Sequence, residues 1–313
     1  MSLTTNVALL ITGAALLTTG SNYFIEGAAR VAKRLGISHL VIGATLVALG
    51  TSLPEFFVSF VSAVKNMPSI SIGNIVGSNI CNIALILGTA AVIRPVSTGS
   101  AVLKFEYPML FAASVLLLVF SFNGVIGRWE ALIYIVMLAY FIQNYYKKLP
   151  QDDTLKDKGI SILRSLLLTA GGLAALLVGS ELFVEAAVSI AKELGVSELV
   201  IGLSLVALGT SLPELASTVA AVLKSKEEMA LGNVIGSNIL NMLFIVGTVS
   251  LIKPIRTQAQ LVEVDIPFMI ALTVILFAII KYRGKVDRKA GLTLVVLYFI
   301  YIGVIFKLGR MGG

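Results

Sequence analysis

Apolar runs recur along the whole chain, and they limit the fold more than any other feature of the sequence. A helix of about 20 apolar residues crosses the ~30 Å hydrocarbon core of a bilayer. Of the 313 residues, 57% are hydrophobic and 13% are charged, whereas soluble domains average about 25% charged residues. The sequence therefore predicts an all-α polytopic membrane protein. Ten transmembrane helices are expected near residues 5–24, 38–64, 70–93, 102–122, 126–146, 164–185, 197–223, 229–252, 261–280 and 290–306.

The distribution of cationic residues predicts how the chain is oriented. If the ten spans alternate in direction, 17 of the 24 Lys and Arg residues fall in one set of loops. Cytoplasmic loops carry such an excess, so the central linker is expected in the cytoplasm of a cell-membrane protein, with both termini extracellular. No basic run is interleaved with aromatic residues, so nucleic-acid binding is not indicated. The single Cys81 and single His39 exclude an intrachain disulfide and a zinc cluster; we interpret them as packing and interfacial residues.

Two segments of the chain return at a constant distance. GISHLVIGATLVALGTSLPE (36–55) recurs as GVSELVIGLSLVALGTSLPE (195–214), and SIGNIVGSNICN (71–82) recurs as ALGNVIGSNILN (230–241). Both copies are shifted by 159 positions, as from Gly50 to Gly209. The sequence therefore predicts two homologous five-helix repeats, residues 1–146 and 164–313, joined by a charged linker at 147–163.

An odd number of spans in each repeat fixes how the two repeats are related. Equivalent helices must cross the membrane in opposite directions, so the repeats are expected to have inverted topology. Inverted repeats are typical of transporters, whose substrate sites lie near the midplane between the repeats.

Each repeat carries one carboxylate deep in an apolar span. Glu55 is the only ionisable residue between 40 and 64, and Glu214 the only one between 199 and 223. Such a carboxylate is costly in a bilayer unless it is paired, hydrated or neutralised. Hydroxyl and amide residues recur at helical spacing beside it: Thr51, Ser52, Asn74, Ser78 and Asn82, with the counterparts Thr210, Ser211, Asn233, Ser237 and Asn241. Oxygen ligands of this kind favour hard cations such as Ca²⁺ or Na⁺.

A proline precedes each buried glutamate. Pro54 and Pro213 each remove an N–H and disturb the carbonyl four residues back, at Gly50 and Gly209, so discontinuous helices with freed backbone oxygens are expected at a central ion site. The GNIVG and GNVIG stretches, taken alone, indicate only close helix packing. Four polar residues near the span ends are interpreted as interfacial or gating residues: Asn22, Glu26, Glu181 and Glu185.

The paired GTSLPE and GN(I/V)(V/I)GSN motifs resemble the two α-repeats of the sodium/calcium exchanger family, within the cation/calcium antiporter superfamily. The resemblance covers essentially the whole chain, and the short linker is similar to that of prokaryotic members. It implies ion ligation by Glu55, Glu214, Thr51, Ser52, Thr210, Ser211, Ser78, Ser237, Asn82 and Asn241 and by the backbone carbonyls of Ala48 and Ala207. It also implies that spans one and six slide as a pair. Asn241 stands where potassium-dependent members carry Asp, which weakens the case for K⁺ co-transport.

The resemblance implies a sodium/calcium antiporter that works by alternating access. With about three Na⁺ for each Ca²⁺, the cycle would be electrogenic. No cofactor is expected, and no Ser–His, Cys–His or HExxH arrangement indicates an enzyme. A Ca²⁺/H⁺ antiporter that uses the same two glutamates is the alternative, and a passive cation channel is a weaker one.

Overall fold

Helices make up most of the chain in a computed structural model, which describes residues 3–97, 102–147, 161–193 and 207–311. Most of the predicted linker at 147–163 lies outside the described residues. The same is true of 197–206 in the predicted seventh span.

The first half is a series of helices in which the second and third spans are interrupted. The helices are α1 (Leu3–Leu35), α2 (His39–Ile42), α3 (Ala48–Thr51), α4 (Leu53–Val64), α5 (Pro68–Cys81), α6 (Gly88–Ile93), α7 (Glu106–Ser121) and α8 (Arg128–Lys147). π-Helical turns at Gly43–Val47 and Asn82–Leu87 join α2 to α3 and α5 to α6. Two short strands, β1 (Val96–Ser97) and β2 (Val125–Ile126), precede α7 and α8.

The second half repeats this order wherever it is described. Its helices are α9 (Ile162–Glu193), α10 (Ala207–Thr210), α11 (Leu212–Leu223), α12 (Glu227–Leu240), α13 (Gly247–Ile252), α14 (Ile266–Arg283) and α15 (Arg288–Met311). π-Helical turns lie at Asn241–Val246 and Leu261–Asp265. The strands are β3 (Ile255–Arg256) and β4 (Lys285–Val286).

Several of these helices are long and apolar enough to cross a membrane. Within the described ranges there are six: Thr4–Leu35, Pro68–Ile93, Ile162–Ala186, Glu227–Ile252, Leu261–Arg283 and Arg288–Ile305. The pair His39–Thr51 and Leu53–Val64, bent by 45°, would form a seventh span, whereas Glu106–Ser121 and Leu212–Leu223 are apolar but shorter. The predicted all-α membrane architecture is confirmed, and the number of ten spans stays a prediction.

The first helix is longer than the apolar run that predicted it. Apolarity ends near residue 24, but α1 continues to Leu35. On this extension Ile25, Ala28 and Val31 are still buried. Glu26 and Arg30, one turn apart, form a 2.5 Å ion pair on the same extension, and such pairs add to the support of a helix.

Two short strand pairs link the two halves, and the pairs are related to each other by the same two-fold symmetry as the halves. β1 pairs with β4, with Val96 opposite Val286, and β2 pairs with β3, with Ile126 opposite Ile255. β1 and β3 follow the corresponding helices α6 and α13, and β2 and β4 each follow a left-handed glycine, Gly124 (φ 81°) and Gly284 (φ 65°). Exchanging the halves therefore converts one strand pair into the other, as a two-fold relation requires.

The first helices of the two halves pack against each other through glycines. A Cβ atom at Gly13 would lie 2.8 Å from the carbonyl oxygen of Gly179, and one at Gly20 would lie 2.9 Å from that of Gly172. Because residue numbers rise along α1 as they fall along α9, the two helices are antiparallel. Equivalent helices thus run in opposite directions, which is the inverted topology that an odd number of spans predicts.

The third and eighth spans form the centre of the molecule. Pro68–Ile93 and Glu227–Ile252 are each 78% buried over their most apolar windows, whereas the corresponding windows of the long helices α1 and α9 are 33% and 28% buried. The repeated Asn and Ser residues of these two spans are therefore enclosed by protein.

The α1–α9 contact gives a stability prediction. We expect Gly172→Ala to lower the stability by about 1–3 kcal/mol, because the new Cβ would lie 2.7 Å from Phe24 Cα and 2.8 Å from the Gly20 carbonyl oxygen. Gly171→Ala is the matched control, since no described atom beyond its own stretch of α9 lies within 4 Å of its Cβ position and alanine is the better helix former. Thermal unfolding in detergent measures both variants, and equal midpoints would contradict the close approach.

Candidate functional site

The helix breaks at the two GTSLPE segments have nearly the same backbone geometry. Ser52 has φ −84° and ψ 7°, and Ser211 has φ −92° and ψ 6°, so each serine separates a short helix from a new one. The proline that follows falls in the first turn of the new helix, where its missing N–H costs little. Glu55 and Glu214 also fall in this first turn, where the positive end of the helix dipole stabilises a carboxylate.

The structure changes the expectation for the carbonyls that the prolines free. The Ser180 hydroxyl of α9 donates a 2.8 Å hydrogen bond to the Gly209 carbonyl oxygen, so this oxygen already has a protein partner. The carbonyl oxygen of Ala48 likewise accepts from the Ser52 N–H at 3.0 Å. The Thr51 hydroxyl also donates to the Ala48 oxygen at 3.4 Å, so this oxygen has two protein partners. Sequence analysis did not identify Ser180, because its role depends on the packing of α9 against the break.

Ten residues from α3–α5 and α10–α12 form what we call the central polar cluster. They are Thr51, Ser52, Glu55, Asn74, Ser78, Thr210, Ser211, Glu214, Asn233 and Ser237, and none is more than 8% exposed. The four spans that contribute them are the ones in which the sequence repeat lies. The sequence-predicted hydroxyl and carboxylate residues are therefore brought together.

Hydrogen bonds cross between the halves at the two carboxylates. Ser52 donates to Glu214 Oε1 at 3.0 Å, and Ser211 donates to Glu55 Oε1, also at 3.0 Å. The Ser211 hydroxyl also lies 3.2 Å from that of Ser78. Each glutamate is thus held by the serine at the helix break of the opposite half.

Two asparagines brace the helices that carry the glutamates. Asn74 Nδ2 donates to the Glu55 carbonyl oxygen at 3.2 Å, and Thr210 donates to Asn74 Oδ1 at 3.3 Å. Asn233 mirrors this arrangement, since its Nδ2 lies 3.5 Å from the Glu214 carbonyl oxygen and its Oδ1 accepts from Thr51 at 3.2 Å. These asparagines were recognised in the sequence by their spacing, but the family resemblance does not include them among the ion ligands.

Several buried oxygens of this region have no hydrogen-bond partner among the described residues. They are Oε2 of Glu55 and of Glu214, Oγ of Ser237, Oδ1 of Asn82 and Oδ1 of Asn241. Leaving such atoms unsatisfied in a low-dielectric interior is costly. The two carboxylates are both fully buried, and burial of two ionised carboxylates without a cation is also costly. A cation held by these oxygens would remove both costs, and hydroxyl, amide and carboxylate oxygens are the ligands that Ca²⁺ and Na⁺ prefer.

Asn82 and Asn241 lie beside a second layer of amides. Asn82 Nδ2 donates to Asn238 Oδ1 at 2.9 Å, and Asn238 Nδ2 donates to the Asn79 carbonyl oxygen at 3.2 Å. The counterpart Asn241 has no hydrogen bond to a described residue through either side-chain atom. Sequence analysis missed Asn79 and Asn238, although both follow the repeated serine of the GSN motif.

A second matched pair of carboxylates escaped the sequence analysis. Glu106 accepts a 2.8 Å hydrogen bond from Tyr145, and Asp265 accepts a 2.9 Å hydrogen bond from Tyr301. Glu106 and Asp265 are separated by 159 positions, which is the signal that could have found them. They begin the fourth and ninth spans and are not part of the central polar cluster.

The remaining polar candidates lie at the periphery. Glu26 pairs with Arg30 and lies 3.7 Å from Lys224, and Glu181 and Glu185 are exposed. The Asn22 carbonyl oxygen accepts from Lys224 at 3.0 Å. Cys81 is buried and His39 is half-buried. Among the described residues, no three His, Cys, Asp or Glu side chains gather where they could hold a metal. A cation in the central polar cluster would therefore need hydroxyl or amide oxygens in addition to the two glutamates.

Comparisons with known proteins agree with this arrangement. The model of the sodium/calcium exchanger protein family matches residues 5–146 and 164–307. The sodium/calcium exchanger MaX1 of Methanosarcina acetivorans is 35% identical, over 97% of this chain and 99% of its own length. The inner membrane protein YrbG of Escherichia coli is 31% identical, over 96% and 97%.

A solved structure is similar over nearly the same length. The sodium-calcium exchanger NCX_Mj, soaked with Na⁺ and without Ca²⁺, superposes with a TM-score of 0.87 at 34% identity, and the match covers 96% of this chain and 99% of the other. The same exchanger soaked with Na⁺ and Sr²⁺ also gives a TM-score of 0.87.

Proposed function

We propose, since this chain belongs to the sodium/calcium exchanger family, that it exchanges Na⁺ for Ca²⁺ across the membrane with Glu55 and Glu214 at the centre of its ion site. One observation carries this proposal: each glutamate is bonded by the serine of the opposite half, while its second oxygen has no partner among the described residues. The two carboxylates can therefore bind a divalent cation between the halves through these oxygens and balance its two positive charges.

The proposed ligands are the residues that the family resemblance implies. Ca²⁺ is held between the two glutamates, and Na⁺ ions share those carboxylates. The further oxygens come from Thr51, Ser52, Ser78, Asn82, Thr210, Ser211, Ser237 and Asn241 and from the backbone carbonyls of Ala48 and Ala207. The hydrogen bonds from Ser52 to Glu214 and from Ser211 to Glu55 support the assignment. They hold each serine hydroxyl beside a carboxylate, where its lone pairs can bind the same cation.

Charge balance provides a reason for obligatory exchange. One Ca²⁺ neutralises two ionised glutamates, and about three Na⁺ would leave one positive charge. An empty site would keep two negative charges in a low-dielectric interior, which is far more costly. The loaded protein therefore changes conformation readily and the empty one does not. With about three Na⁺ per Ca²⁺, each cycle moves one charge, worth about 2.3 kcal/mol per 100 mV.

Alternating access needs a part of the protein that moves past the rest. We assign this role to α1 and α9, which pack together through glycines and are much less buried than the central spans Pro68–Ile93 and Glu227–Ile252. The repeats 1–146 and 164–313 are the two halves of the transport unit, with 147–163 as a cytoplasmic linker and both termini outside. The division agrees with the two ranges that the family model matches.

The first of three functional predictions concerns the two carboxylates. Glu55→Gln and Glu214→Gln should each reduce Na⁺-driven Ca²⁺ uptake into liposomes by about 100-fold or more, because loss of one charged ligand costs at least about 3 kcal/mol. Glu263→Gln, at an exposed position, is the control and should transport normally. Near-normal uptake in either buried-glutamate variant would remove the basis of the proposed site.

The second prediction identifies the coupling ion. An outward-directed Na⁺ gradient at equal pH should drive Ca²⁺ into the liposomes, whereas a pH gradient in Na⁺-free solution should not. The opposite result would identify a Ca²⁺/H⁺ antiporter that uses the same glutamates. Ca²⁺ flux that needs neither counter-ion and does not saturate would indicate a passive channel.

The third prediction tests the orientation. In a Cys81→Ala background, Asn123→Cys should react with a membrane-impermeant thiol reagent added to intact cells, because the loop after α7 is predicted to be extracellular. Lys285→Cys, which is also exposed, should react only after the membrane is opened. Reversed labelling of the two positions would show that the positive-inside count assigns the wrong orientation.

A further inference from the structure

A pocket of about 580 Å³ opens at the end of α1, well apart from the ion site. Its walls come from the last turns of α1, the turn into α2 and the turn before α12. No residue of the central polar cluster lines it. The pocket therefore lies between a helix of the first half and a turn of the second half. Both are at helix ends, where a bilayer meets water.

Cations from both halves converge on this pocket. Arg30 and Lys33 come from α1, and Lys226 comes from the turn between α11 and α12. Glu26 and Glu228 also line it, but Glu26 is already paired with Arg30 at 2.5 Å and lies 3.7 Å from Lys224. The lining thus has three cationic residues and two carboxylates, so its formal charge is positive by one.

Lys226 is the cation of this pocket that most clearly lacks an anionic partner among the described residues. It is half-buried, and no carboxylate of the described residues lies within ion-pair distance of its ammonium group. Burial and the neighbouring Lys224 lower the pKa of Lys226, with Glu26 acting weakly in the opposite direction. A partly desolvated, unpaired ammonium is unfavourable unless an anion neutralises it.

Polar donors surround the same space. The Ser38 oxygen accepts a hydrogen bond from the Val41 N–H at 3.3 Å, which leaves the hydroxyl proton of Ser38 free to donate. Arg30 uses one nitrogen for Glu26, and the guanidinium group has further N–H donors. A tetrahedral oxyanion matches such a set of donors better than a planar carboxylate does, because it accepts from several directions.

We propose that this pocket binds a phosphate group, either as the headgroup of an anionic lipid or as free phosphate, through Lys226, Arg30 and Ser38. The bound phosphate links the end of α1 to the turn before α12, where the Lys224 contacts with Glu26 and the Asn22 carbonyl oxygen already join the two elements. A ligand there restrains α1 relative to the second half. The site does not depend on the proposed transport activity, because binding can be measured without ion flux.

Thermal unfolding of the purified protein in a non-ionic detergent tests this site. The probes are short-chain phosphatidylglycerol, short-chain phosphatidylcholine and inorganic phosphate, each at matched ionic strength. Phosphatidylglycerol or inorganic phosphate should raise the midpoint of the unmodified protein in a saturable way, and phosphatidylcholine should have much less effect. Lys226→Ala should weaken the apparent affinity by about tenfold or more, as expected for the loss of one charge-assisted contact.

Two further variants make the test specific. Lys285→Ala removes an exposed cation outside the pocket and should keep the full response, and Lys226→Arg should keep most of it. Lys226→Gln serves in place of Lys226→Ala if the latter does not fold. A response to phosphatidylglycerol alone identifies a lipid headgroup, and an equal response to inorganic phosphate identifies free phosphate. If Lys226→Ala and Lys226→Gln respond as Lys285→Ala does, or if phosphatidylcholine matches phosphatidylglycerol, the proposal is overturned.

Discussion

The burial of two carboxylates against each other is the constraint on which the rest of the structure depends. Glu55 and Glu214 are fully buried, and their four spans contain no Lys or Arg that could pair with them. A site of this kind is tolerable only if cations or protons neutralise it. The helix breaks, the crossed serine bonds and the bracing asparagines all serve to hold these carboxylates together in the middle of the protein.

Inverted duplication is what makes the two carboxylates face each other. Because equivalent helices run in opposite directions, the GTSLPE break of one half meets that of the other, and Ser52 and Ser211 exchange partners. The same exchange appears far from the site, in the two strand pairs. The symmetry is incomplete at the amide layer, where Asn82 is hydrogen-bonded and Asn241 is not. The two halves are therefore not chemically equivalent around the two carboxylates.

Much of the fold and of the candidate site could be predicted from the sequence, because the length of the apolar runs and the internal repeat are strong signals. The all-α membrane fold, the inverted topology and the family are confirmed, and the predicted hydroxyl and carboxylate residues meet in one cluster. Two features were out of reach. The partner of the Gly209 carbonyl depends on how α9 packs, and the partners of Glu106 and Asp265 are tyrosines from other helices. Each is a tertiary contact without a local pattern.

The most direct test of the central claim is to locate the cation itself. Crystals of this protein soaked in Sr²⁺ without Na⁺ should give one strong anomalous peak per chain, between the carboxylates of Glu55 and Glu214. The peak should disappear at high Na⁺ concentration and in Glu55→Gln crystals. No peak between these residues, or a peak there that neither Na⁺ nor Glu55→Gln removes, would contradict the account.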